Sequence, residues 1–161
     1  MSDEKKPFFI SARGRAALPE ERQKHPLNPN SEIAGWSLSD LVGLKRCGLY
    51  LLKIAPGKES FAYHSHRVQE EFFYALSGRA IAEVDGKEYE VGPGDFMGFP
   101  TPSVAHHLRN PFAEEFVYLC GGEKGRAEVA DFPRLGKRLI FAGGEAMLAD
   151  IDAFTTPKWG G

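Results

Sequence analysis

The sequence predicts an all-β domain, a barrel or sandwich, and three observations predict it. Short apolar and aromatic runs recur from about residue 33 to 122, each stopped by Gly, Pro, Asp or Ser. No helix-period pattern of useful length interrupts them. Within the clearest segment, Ala80 to Val91, Asp85-Gly86 sits between two alternating runs. Asp-Gly is the favoured two-residue hairpin turn because both central positions need positive φ. Many short strands with regular turns are the pattern of closed or stacked antiparallel sheets.

The elements follow in order. Residues 1–32 mix charges with Pro7, Pro19, Pro26 and Pro29 and read as an irregular, extended N-terminal arm. A short helical turn is expected in it around Leu18 to Lys24. Leu49 to Ile54 is strand-like and stops at Pro56-Gly57; Phe72 to Leu76 stops at Ser77-Gly78. The Asp85-Gly86 turn pairs Val84 with Lys87, Ala82 with Tyr89 and Ala80 with Val91 on an inward face. It pairs Glu83 with Glu88 and Ile81 with Glu90 on a face expected to be wet, where the like-charge pair is tolerable. Small Ala80 and Ala82 would leave room inside a barrel. Gly92-Pro93-Gly94 is a turn rather than a phosphate loop, since no helix follows it. Phe96 to Phe99, Val104 to Asn110 and Glu115 to Cys120 complete the barrel at residues 33–122. Residues 123–161 form a C-terminal extension packing on it, with a strand at Arg138 to Phe141 and an irregular ending from Thr155 to Gly161.

Composition narrows the function classes. A chain of 161 residues fits one domain, and 42% apolar with 26% charged residues is ordinary for a globular protein. A net charge of −2 gives no reason to expect a nucleic-acid or anionic-membrane surface. No apolar run approaches a membrane span, and Met1 to Pro7 lacks a signal-peptide layout, so a cytoplasmic protein is expected. Cys47 and Cys120 have no paired spacing and are expected to be buried free thiols.

The chemistry concentrates in His64-Ser65-His66, followed by Glu70-Glu71 and later by His106-His107. On a strand, side chains alternate, so His64 and His66 point the same way. A carboxylate and a third histidine complete a three-nitrogen, one-oxygen metal cage. His106 shares parity with Val104 and Leu108, whereas His107 shares it with Arg109, so His106 is placed on the apolar face. His25 is read as a surface residue. Arg67, Arg79 and Arg109 are read as solvated charges or as holders of an anionic substrate, and Phe73 as barrel packing.

These residues resemble the two motifs of the cupin superfamily. Its first motif runs Gly, His-x-His, Glu, Gly; here Gly57 is followed after six residues by His64-Ser65-His66, after four more by Glu71 and after six more by Gly78. Counting back from Gly78 selects Glu71 over Glu70. The second motif is kept as His106, three residues, Asn110, with one extra residue in the preceding turn and no glycine there. The resemblance implies a double-stranded β-helix, or jelly-roll barrel, holding one divalent transition metal (Fe, Mn, Zn or Ni) through His64, His66, Glu71 and His106. It implies three kinds of function. A metal-dependent sugar or sugar-phosphate isomerase leads, with Glu71 or the free Glu70 as base. A non-catalytic ligand-binding or sensor barrel and an iron-dependent dioxygenase are the alternatives. A small-molecule ligand and a homodimer are the expected partners.

Overall fold

The computed structural model describes residues 6–155 and 157. In chain order the elements are helix α1 (Ala12–Ala16), β1 (Glu21–Gln23), β2 (Ile33–Ser37), helix α2 (Leu38–Leu41), β3 (Cys47–Ile54), β4 (Ser65–His66) and β5 (Glu71–Ser77). There follow β6 (Ala80–Val84), β7 (Lys87–Val91), β8 (Phe96–Phe99), β9 (His106–Arg109), β10 (Phe116–Glu123), β11 (Ala127–Phe132), β12 (Lys137–Ala142) and β13 (Glu145–Asp150). The predominance of strands bears out the all-β expectation. No helix among the described residues is long and apolar enough to cross a membrane.

One wall is a six-stranded sheet in the order β1-β2-β3-β10-β5-β8. The other consists of β7-β6-β9 and β13-β12-β11-β4. A bridge between His64 and His106 joins these two pieces: His64 N–H donates to His106 O at 3.2 Å and His106 N–H to His64 O at 2.8 Å. The walls close on a core in which Ile54, Leu108, Phe116 and Tyr118 are almost fully buried.

The β6–β7 hairpin has the predicted register, Ala80 opposite Val91 through Val84 opposite Lys87, with Asp85 and Gly86 at φ 51° and 71°. Its faces differ from expectation on both sides: Lys87 and Tyr89, expected to point inward, are exposed, as β7 is covered only at Val91. Glu83, expected to be wet, is buried, because Arg134 from the short 3-10 turn Pro133–Leu135 reaches over it and His107 Nε2 lies 3.2 Å from its carboxylate. The charge is removed from water but paired on both sides.

The N-terminal arm differs from expectation. The helical turn lies at Ala12–Ala16, capped by Ser11 Oγ accepting from Gly14 N–H at 3.0 Å. Residues Glu21–Gln23, within the stretch expected to turn helically, instead form an edge strand whose partners are Gly35, Ala34 and Ile33 of β2. Pairing with an existing sheet outweighs the local helix preference of Glu-Glu-Arg-Gln. In the tail, the strand expected at Arg138 to Phe141 lies within β12, flanked by β11 and β13 in a meander. The ending expected to be irregular falls largely outside the described residues. Cys120 is buried and free as expected, but Cys47 is exposed, at the start of β3.

Candidate metal centre

His64, His66, Glu71 and His106 each offer one ligand atom, and these four atoms lie within 4.8 Å of one another. The fold brings them together from three places. His64 and His66 occupy alternate positions along the stretch ending in β4, Glu71 opens β5, and His106 opens β9. Adjacent alternatives are turned away. Glu70 is exposed, and His107 faces Glu83 on the far side of the second wall.

Hydrogen bonds fix the imidazoles. His64 Nδ1 lies 2.7 Å from Ala62 O and His106 Nδ1 lies 3.0 Å from Val104 O. A carbonyl can only accept, so both Nδ1 atoms carry the proton and both Nε2 atoms present lone pairs to the centre. His64 Nε2 stands 3.0 Å from His66 Nε2, and His106 Nε2 stands 2.9 Å from Glu71 Oε2. Two donors bound at about 2.1 Å to one ion, at right angles, are about 3.0 Å apart. The donor set therefore fits a single divalent transition ion, and three imidazoles with one carboxylate suit Fe, Mn, Zn or Ni.

The surroundings hold this arrangement. His106 is almost completely buried and stacks on Phe99 at 3.6 Å between ring centroids. Phe73, buried against Phe99 and Tyr118, packs on the same imidazole, as its reading as barrel packing anticipated. Cys120 donates its thiol to Glu71 Oε1 at 3.3 Å, leaving Oε2 to the histidines. Burial, and then the neighbouring Glu71, pushes that thiol well up, so it stays protonated.

Electrostatics separate the ligands. Burial, reinforced by His106, takes His64 down to about 3. Burial alone would raise Glu71, but the histidines around it outweigh that and hold the carboxyl far below its usual range. His66 is also opposed by burial, yet Glu71 and Glu128 hold it above its ordinary value. The centre thus offers neutral His64 and ionised Glu71, the forms that bind metal.

Several cavities touch the ligand residues, and two of them are lined by both Tyr50 and Phe61. One of about 250 Å³ lies against the paired strands β2 and β3 and reaches Glu71 and Cys120, past Trp36, Tyr50 and Phe61. Another of about 430 Å³ opens over His64 and His66 and is lined by His25, Tyr50, Phe61 and Gln69. His25, read as a surface residue, is half-buried there against Phe61 and Phe132. Its Nδ1 accepts from Leu27 N–H at 3.2 Å. Arg67, Arg79 and Arg109 lie outside these two cavities, in ion pairs with Asp131, with Glu90 and Glu114, and with Glu88.

The family model described as a cupin domain matches residues 50–122. A crystal structure of a candidate sugar phosphate isomerase from Acidithiobacillus ferrooxidans is 36% identical with a TM-score of 0.91, over 94% of this chain and 97% of that one. A sugar phosphate isomerase from a cupin superfamily, of Silicibacter pomeroyi, superposes with a TM-score of 0.76 at 22% identity, over 86% of this chain and 92% of that one. The chain belongs to the cupin superfamily. This cupin also shares 31% identity over 67 residues with an uncharacterized protein of Methanocaldococcus jannaschii, 42% of this chain and 53% of that protein. It spans about half the length of that curated relative. The identity and double-stranded barrel of a cupin account for the two motifs. They leave out Cys120, Glu128, Tyr50 and His25, which the sequence reading did not place at the centre. Cys120 was within reach, since it shares parity with buried Tyr118 on one strand.

Proposed function

We propose that this cupin is a metal-dependent enzyme acting on a small polar metabolite, a sugar or sugar-phosphate isomerase, with the ion held by His64, His66, Glu71 and His106. The observation that carries the reading is the convergence of two lone pairs of assigned direction with a carboxylate oxygen, beside cavities large enough for a sugar. The similarity to the Acidithiobacillus protein, which extends over nearly the whole of both chains, supports the substrate class. When bound, a divalent ion supplies Lewis-acid polarisation of a carbonyl or hydroxyl oxygen.

The chain's own residues do the rest. The aromatic walls of Phe61 and Trp36 exclude water from one side of the ligand. Aldose–ketose interconversion moves a proton between neighbouring carbons, which needs a carboxylate able to take and return it. Glu71 Oε1, which faces a thiol rather than an imidazole, and Glu70, which points away from the ion position but lines a cavity together with His66 and Glu71, are the first candidates.

Metal analysis of purified protein, with anaerobic assays on paired aldose and ketose phosphates in the presence of Mn, Zn or Fe, tests the reading. Wild type is expected to hold close to one ion per chain and to turn over; His64→Ala and His106→Ala are expected to lose both. Glu71→Gln should lower metal content and turnover together, whereas a base at Glu70 would show as Glu70→Gln losing turnover with metal retained. Thermal stabilisation by a metabolite without product would make the protein a ligand-binding barrel instead.

A further inference from the structure

We infer that Glu128, in β11 and outside the segment matched by the cupin model, is the positioning residue for His66 and completes the metal centre from the C-terminal extension. The inference rests on the metal reading above. An imidazole that gives its Nε2 lone pair to an ion must carry its proton on Nδ1, and that N–H needs an acceptor. His64 and His106 have theirs in the carbonyls of Ala62 and Val104. His66 does not: its Nδ1 is buried and makes no hydrogen bond. The group it faces is Glu128 Oε2, at 3.4 Å.

Glu128 is itself held in place. Its Oε1 accepts from the backbone N–H groups of Arg67 and Val68, both at 3.2 Å, and of Val129 at 2.6 Å. Its Oε2 accepts from Gln69 N–H at 2.9 Å. Its side chain is only 11% exposed. One carboxylate therefore gathers the backbone between His66 and Glu71, setting the spacing of two ligands. It also aims an oxygen at the imidazole nitrogen that lacks a partner. The other two histidines lean on neutral carbonyls; His66 leans on a charge, which makes it the most basic donor of the set.

The test uses the full chain loaded with Co²⁺, whose paramagnetism shifts the ligand imidazole N–H protons clear of the remaining spectrum. Wild type is expected to show three such solvent-exchangeable signals. In Glu128→Gln, one signal should move while two stay, and Co²⁺ affinity should fall about ten- to a hundredfold. Unchanged affinity with three unmoved signals, or three signals moving together, would overturn the assignment. Should Glu128→Gln fail to fold, the Zn²⁺-loaded wild type decides: the His66 Nδ1–H resonance should lie downfield of the other two, and any other order sinks the inference. Wild type that takes up no metal would instead end the metal reading itself.

Discussion

At Gly122 the space for a side chain is already occupied: a Cβ there would stand 2.2 Å from the carbonyl oxygen of Glu70. The backbone beside Glu71 is thus pressed directly onto β10, and no flexible side chain can give way. Gly122→Ala is expected to push the start of β5 outward, costing about 1–3 kcal/mol in a urea melt. It should also weaken metal binding at least tenfold by calorimetric titration. Asp131 gives a pH-dependent counterpart. Arg138 and then Arg67 outweigh burial and hold its carboxyl below the usual range. A depressed folded pKa contributes stability above the unfolded value of about 3.9 and loses it as pH falls through the folded value. Asp131→Asn should therefore cost about 2 kcal/mol at pH 7, and the gap to wild type should narrow in melts at pH 3 and below. At this scale the sequence was readable where alternation governs. His64 with His66, and His106 rather than His107, follow from parity; Glu71 follows from counting to Gly78. Glu128 was not readable, because its partners are backbone N–H groups, which every residue type offers alike.

Elements were legible when their signal was local. The β6–β7 hairpin is written in Asp85-Gly86, and its register came out residue for residue. Strand β11 was missed because Glu128 and Asp131 interrupt the apolar pattern while being buried through their bonds. Burial of Glu83 was missed because its cover, Arg134, arrives from far along the chain. The end of β5 shows a local need of another kind. Gly78 adopts φ 71°, and a Cβ on it would meet Glu115 O at 2.2 Å. Both the left-handed backbone and the contact exclude a side chain, so Gly78→Ala is expected to destabilise by more than about 2 kcal/mol in chemical denaturation. The same requirement explains why a glycine closes the first motif.

For the molecule as a whole, the outer face of the six-stranded sheet presents Phe72, Tyr74, Leu76 and Phe96 on neighbouring strands, with Phe96 64% exposed. We propose that this face pairs two copies of the chain, since contiguous exposed apolar patches mark association surfaces and a two-fold pair uses the same patch on both copies. Sedimentation should find a dimer at micromolar concentration, and Phe96→Glu should shift it to monomer; wild type sedimenting as a monomer would count against it. The bridge between His64 and His106 has a further consequence. The seam between the two pieces of the second wall runs through two of the residues that would hold the ion, so on the proposed reading closing the barrel and gripping the ion would use the same residues. Chelation should then act as unpicking: the amides of His64 and His106 should lose protection from hydrogen exchange well before those of β3 and β10. Returning the ion at a hundred times its dissociation constant should restore about 2.7 kcal/mol to the fold. A barrel sewn with the residues that would hold its ion would report, in how tightly it holds shut, whether it is loaded.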